Sequence, residues 1–134
     1  MLFDTSIKDK KTKTTINGLV GKPFNIVDIL KMGTIGSSRM QIVSYSKLFN
    51  KAMAWDKQAV FANIALRPKG VIVVINVRLC NYSWVIPYHY LSIFKSDLLS
   101  IHSQGEFIKF KADGDQKKQF LNKIIEKKQA YLNQ

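Results

Sequence analysis

The apolar positions of this chain fall into two regimes. Between Val71 and Lys111 they gather in short β-rich runs separated by turn residues, and from Phe120 onward they recur at steps of three and four. Val71-Ile72-Val73-Val74-Ile75 is the most strand-like run, and an unbroken β-branched run predicts a strand covered on both faces. Cys80-Asn81 turns into a strand over 82–86, after which Pro87 imposes an edge, bulge or bend. Residues 90–94 and 98–102 are further strands around the turn Ser96-Asp97. Gln104-Gly105 punctuates a hairpin into 106–111, with Phe107, Lys109 and Lys111 on one side and Ile108 and Phe110 on the other. Turns this short make the strands antiparallel, because a parallel pair needs a long crossover. Asp113-Gly114-Asp115 then supplies an N-cap for a closing helix. Its stripe of Phe120, Leu121, Ile124, Ile125, Tyr131 and Leu132 is expected to dock on the sheet, with Lys117, Lys118, Lys123 and Lys127 on the remaining surface.

The first half is less regular. Residues 4–15, D-T-S-I-K-D-K-K-T-K-T-T, lack apolar periodicity and read as a mobile tail or a frayed first strand, so residues 1–15 are set as a flexible basic tail ahead of a single α+β domain over 16–134. Pro23 opens and Gly33 ends a short apolar segment with the proline-first, glycine-last asymmetry of a helix. The following G-T-I-G-S-S is a linker, since the lysine and spacing of a phosphate-binding loop are missing. Residues 39–45 alternate as a strand. From Ser46 the period changes: Leu48, Phe49, Ala52, Met53, Val60 and Ile64 predict a helix over 47–66, capped by Ser46 and closed by Arg67-Pro68. Trp55 and Phe61 would widen its core contact.

Composition changes the picture mainly through charge. The chain has 134 residues, 46% of them hydrophobic, which suits one domain able to bury a core without disulfides or a structural metal. There is no apolar window of membrane-spanning length, the start M-L-F-D lacks a secretory pattern, and the single cysteine, Cys80, suits a reducing, cytoplasmic setting. Twenty-one Lys and Arg against nine Asp and Glu give a net charge of +12. Such an excess favours an acidic protein, an anionic membrane surface or nucleic acid. Lysine outnumbers arginine eighteen to three, which argues against bidentate, sequence-specific DNA reading.

Candidate chemistry is sparse. Cys80 with His89 or His102 is formally a thiol–imidazole pair, but a small structural cysteine at a strand end is the simpler reading. The His, Cys and carboxylate spacing offers no metal site, and Asp97, Glu106, Asp113 and Asp115 lie in or beside turns, where Asp caps backbone groups. Tyr82, Trp84, Tyr88 and Tyr90 have Arg78 as their one basic neighbour, so cross-strand packing is favoured over base stacking. No enzyme activity, cofactor or metal is expected.

The stretch 66–134 resembles the pleckstrin-homology-like superfold. The resemblance rests on R-P-K-G before V-I-V-V-I, then V-I-P-Y-H-Y-L-S-I, then L-L-S-I-H-S-Q-G-E-F-I-K-F and a terminal helix. It implies an antiparallel barrel plugged at one end by that helix. Phosphoinositide-binding members carry basic residues on a first hairpin, and here only Lys8 to Lys13 and Arg39 are on offer, so lipid binding does not transfer residue by residue. A rival arrangement wraps a curved sheet on the 47–66 helix in the cystatin manner. The expectation is thus an α+β domain, a bent antiparallel sheet or pleckstrin-homology-like barrel closed by the C-terminal helix, with an additional helix around 47–66. Its expected function is a non-enzymatic binding module for an acidic protein or anionic membrane surface. The contact residues would be Lys8, Lys10, Lys11 and Lys13 in the tail and Lys47, Lys51 and Lys57 on the middle helix. The alternative is nucleic-acid binding by the same charges, with Trp55 or Trp84 stacking.

Overall fold

The computed structural model describes residues 1–53, 60–77, 79–111 and 114–134. The chain forms β1 (Leu2–Asp4), α1 (Lys10–Val20), α2 (Ile26–Met32) and β2 (Met40–Tyr45). A 3-10 turn (Lys47–Phe49) leads into the one-turn helix α3 (Asn50–Met53). Then come β3 (Phe61–Arg67), β4 (Gly70–Val77), β5 (Cys80–Pro87) and a second 3-10 turn (Tyr88–Tyr90). The chain ends with β6 (Ser92–Lys95), β7 (Leu99–Ser103), β8 (Glu106–Phe110) and α4 (Asp115–Leu132). All eight strands join one antiparallel sheet in the order β1-β5-β4-β3-β2-β8-β7-β6. Two meanders, β3-β4-β5 and β6-β7-β8, are therefore spliced by β2. A register shift between Ile42 and Ser44 breaks the ladder where β2 meets β8 and bends the strand there.

The α+β class and the closing helix are as the pattern predicts. Barrel closure is not: β1 pairs only with β5 and β6 only with β7, which leaves the sheet with two edges. Its inner face carries the main core, including Ile64, Val73, Ile86, Ile101, Ile108 and Phe110. Phe120, Leu121 and Ile124 of α4 complete it. Phe49 enters the same core and meets the Trp84 ring edge-on at 4.9 Å. Tyr131 packs on the rings of Tyr88 and His89, while Leu132 is exposed. Two lysines of α4 are tethers: the Lys123 amino group donates to the carbonyls of Met32 and Thr34, and that of Lys128 to the carbonyl of Leu91.

Four expectations are corrected. First, the expected helix over 47–66 is helical across 47–53 but a strand from Phe61, since 61–67 is β3; residues 54–59 lie outside the described residues. Val60 and Ile64 are four residues apart, a step that fits two strand periods as well as one helical turn. Ala62, Ile64 and Leu66 are all buried, and that alternation settles the element as a strand. Phe61 accordingly lies on the outer face of β3, with the Arg39 guanidinium 4.4 Å from its ring centroid. Trp55 and Lys57 lie outside the described residues.

Second, the expected basic tail holds β1 and the first turns of α1. Backbone pairing of Leu2–Asp4 with Trp84, Ser83 and Tyr82 supplies order that side-chain periodicity does not show. Third, the strand expected over 90–94 is β6 from Ser92, and residues 88–90 form a 3-10 turn, a bend of the kind Pro87 allows, with Tyr88 buried and its hydroxyl donating to the Arg67 carbonyl at 3.2 Å. Fourth, Cys80 is exposed, because the β4–β5 turn falls before it at Leu79.

The short helix before Gly33 is α2, capped by the Asn25 side chain on the Asp28 amide at 2.8 Å. Gly114 stands at the N-cap of α4 and Asp115 in its first turn, while Asp113 lies outside the described residues. The 104–105 turn has φ of 51° at Gln104 and 84° at Gly105, as a two-residue type I′ hairpin requires.

Candidate functional site: a lysine-lipped cleft under α1

The β-branched run of β4 is covered on both faces, and α1 is the element that covers the second. Ile16 and Val20 of α1 pack on Ile72 of β4 and Val85 of β5, with Phe3, Leu19 and Val74 around them. All the apolar residues of α1 lie in its second half; its first six residues are K-K-T-K-T-T. That half has nothing to fill the space over the outward-facing apolar positions of β3 and β4. The result is a cleft of about 710 Å³ lined by Ile16, Ala65, Ile72 and Val74 below and by Lys8, Lys10 and Lys13 at its lip. Its volume is in the range of roughly 300–1,000 Å³ usual for ligand sites.

The cleft is held open by polar contacts rather than by packing. Arg67, at one end of β3, donates from Nη1 to Asn17 Oδ1 at 3.0 Å and to the Gly21 carbonyl at 2.8 Å, pinning the second half of α1 to the sheet. Partial burial lowers the pKa of its guanidinium from the usual value. The Asp9 carboxylate caps α1, accepting from the Lys11 amide at 3.1 Å and from the Thr12 hydroxyl at 2.9 Å. Its charge is thus engaged within the helix start. Three lysines line the opening beside Asp9, whose carboxylate offsets the positive end of α1 and part of their charge. No further acidic residue sits in the first turn of α1. A binding partner offering acidic groups above an apolar segment matches this arrangement.

The structure therefore brings together three of the seven lysines singled out from sequence. Lys8, Lys10 and Lys13 line the cleft; Lys11 is exposed on the same helix but does not line it. Lys47 and Lys51 are exposed and elsewhere, Lys51 close enough to Asp4 to help lower its pKa, after the larger effect of the Ser6 hydrogen bonds. Lys57 lies outside the described residues. Sequence reasoning missed the floor (Ala65, Ile72, Val74) and the clamp formed by Arg67 and Asn17. The available signal was the continuous apolar run of β4, which demands a cover on its second face.

A smaller cleft of about 430 Å³, lined by Thr34, Ser37, Ser38 and Gln119 among others, opens beside α4, where Lys123 is committed to backbone carbonyls. On the outer face of β6–β8, His102 stands between Phe94 at 5.1 Å and Phe107 at 5.7 Å, and Lys109 lies 5.7 Å from the Phe107 ring. Trp84 is 2% exposed and cannot stack on a ligand. Cys80 opens β5 and His89 lies beyond its far end, separated by about 24 Å of strand. His102 lies on β7, with its ring against those of Phe94 and Phe107. Among the described residues there is no group of three or more potential metal ligands, and no helix is long and apolar enough to cross a membrane. No family model, curated protein or solved structure matches the chain.

Proposed function

We propose that the protein is a non-enzymatic binding module that takes an acidic protein segment in the cleft under α1. The observation that carries the reading is the set of three lysines, Lys8, Lys10 and Lys13, on the lip of an apolar floor. A concave site with charge at its rim and β-branched residues beneath it suits a chain that alternates acidic and apolar side chains. It suits a flat bilayer less well. A lone exposed thiol at Cys80 is ordinary in a reducing compartment, so the proposal keeps the cytoplasm as the setting. A pleckstrin-homology-like relationship belongs to the same proposal: the antiparallel sheet followed by one closing helix supports it, and the open edges weigh against it.

The nucleic-acid reading has one specific support, the Phe94–His102–Phe107 row with Lys109 beside it. Those rings meet one another across the strands, which leaves less ring face for bases to stack on.

The test is fluorescence anisotropy with a labelled peptide that alternates leucine and glutamate, at low and physiological salt. The expected result is binding that weakens with salt without vanishing, and that is lost in Lys8→Glu/Lys10→Glu/Lys13→Glu. Lys117→Glu/Lys118→Glu/Lys127→Glu on α4 changes net charge equally and is expected to retain most of the affinity. Equal losses in the two variants would mean that charge acts without a site. Tighter binding of a single-stranded oligonucleotide than of the peptide would favour the nucleic-acid reading.

A further inference from the structure

The sequence of α2, I-V-D-I-L-K-M, is mostly apolar, yet none of its residues is buried. Ile26, Val27 and Leu30 are 77%, 57% and 79% exposed. At 100° per residue, Ile26, Leu30 and Val27 share one arc, flanked by Lys31 on one side and Ile29 on the other, with Asp28 and Met32 opposite. The inward side is anchored: Met32 and the preceding Phe24 pack against the main core. Both ends are closed, by Asn25 on the Asp28 amide and by the Lys123 amino group on the Met32 carbonyl. The outward apolar arc is therefore a fixed feature of a tethered helix. Exposed lysines bracket it, Lys22 just before and Lys31 on the helix itself, and the one acid of α2, Asp28, lies on the face away from the arc.

We infer that α2 is a membrane-docking knob, seating Ile26, Val27 and Leu30 at the headgroup boundary of an anionic bilayer while Lys22 and Lys31 meet the lipid headgroups. The occupant follows from shape and charge. A convex helix of seven residues, about 10 Å long, offers far less than the roughly 800 Å² per partner of a stable protein interface. A second copy of a chain carrying +12 would be repelled. An anionic interface needs only a few apolar side chains ringed by basic ones, and among the described residues no helix is long and apolar enough to cross a membrane. This surface is separate from the cleft and stands or falls independently of it.

The experiment is co-sedimentation of the full chain with vesicles of phosphatidylcholine alone and of phosphatidylcholine containing one-quarter phosphatidylserine. The protein is expected to pellet with the second and not with the first. Val27→Ser/Leu30→Ser removes mostly exposed apolar surface, so its circular dichroism and melting should stay close to the parent, while its vesicle affinity falls about tenfold or more. Lys8→Glu/Lys10→Glu/Lys13→Glu is expected to keep most of the vesicle binding, which separates this surface from the cleft. Failure of the parent chain to bind anionic vesicles would overturn the inference, as would undiminished binding by a folded Val27→Ser/Leu30→Ser variant.

Discussion

Tyr88 shows how a single side chain can report on the closure of the whole domain. It is buried among the strand ends, its ring packs on Tyr131 of α4, and its hydroxyl donates to the Arg67 carbonyl. Burial pushes its pKa up to about 12 from an ordinary value of 10.0. The neutral phenol is thus favoured by the folded state, so the stability tied to it is fully present below pH 10. It is lost as pH climbs toward 12. Melting temperature measured from pH 8 upward should fall steeply in that alkaline window. Tyr88→Phe should flatten that fall, at a cost of about 1 kcal/mol at neutral pH for the lost hydrogen bond. An unchanged alkaline slope in the variant would assign the transition to other groups. Packing was legible in the sequence for Tyr82, Trp84 and Tyr88, whereas Tyr90 of the same group is exposed. The 3-10 turn that aims Tyr88 inward was not legible, because nothing in P-Y-H-Y distinguishes a turn from an edge strand.

At the scale of elements, the docking of α1 on the sheet depends on one close approach. A β-carbon placed on Gly70 would lie 2.3 Å from the Ile86 carbonyl oxygen, 2.7 Å from Val20 Cγ1 and 2.9 Å from Pro87 Cα. Two of these neighbours are backbone, and the third is the side chain that anchors the end of α1. Gly70→Ala is therefore expected to destabilise by about 1–3 kcal/mol, read as a lower urea midpoint. The sequence announced that β4 needed two covers, but it did not name the second, since the apolar face of α1 on the sheet is only Ile16, Leu19 and Val20. The same ambiguity hid β3. Apolar residues at even spacing that includes a step of four satisfy both periods until the intervening Ala62 is read as buried. By contrast, α2, β2, β4, β8 and α4 were legible because capping residues, turn glycines and long stripes agree with one another.

For the whole molecule, strand order was out of reach of any local pattern. Nothing near Leu2–Asp4 indicates a partner at Trp84, and nothing near Met40–Tyr45 shows that it lies between β3 and β8. Three of the lysines marked by charge alone converge on the cleft because β1 and α1 fold them back onto the outer face; the remaining positive charge stays dispersed. The splice at β2 carries a consequence for motion. Among the described residues it meets β3 through two register pairs, Met40↔Ala62 and Gln41↔Phe61, and the Ile42 amide donating to the Val60 carbonyl, and it meets β8 across a shifted register. Within the meanders the ladders are continuous, seven pairs for β3–β4 and eight for β4–β5. The chain is thus jointed: the 61–87 meander and the 92–110 meander should open as separate cooperative units. Native-state hydrogen exchange should give the amides of β4 the slowest rates, those of β2 rates nearer local opening, and β6–β8 a protection level of their own. A single common opening energy for all eight strands would show the joint to be rigid.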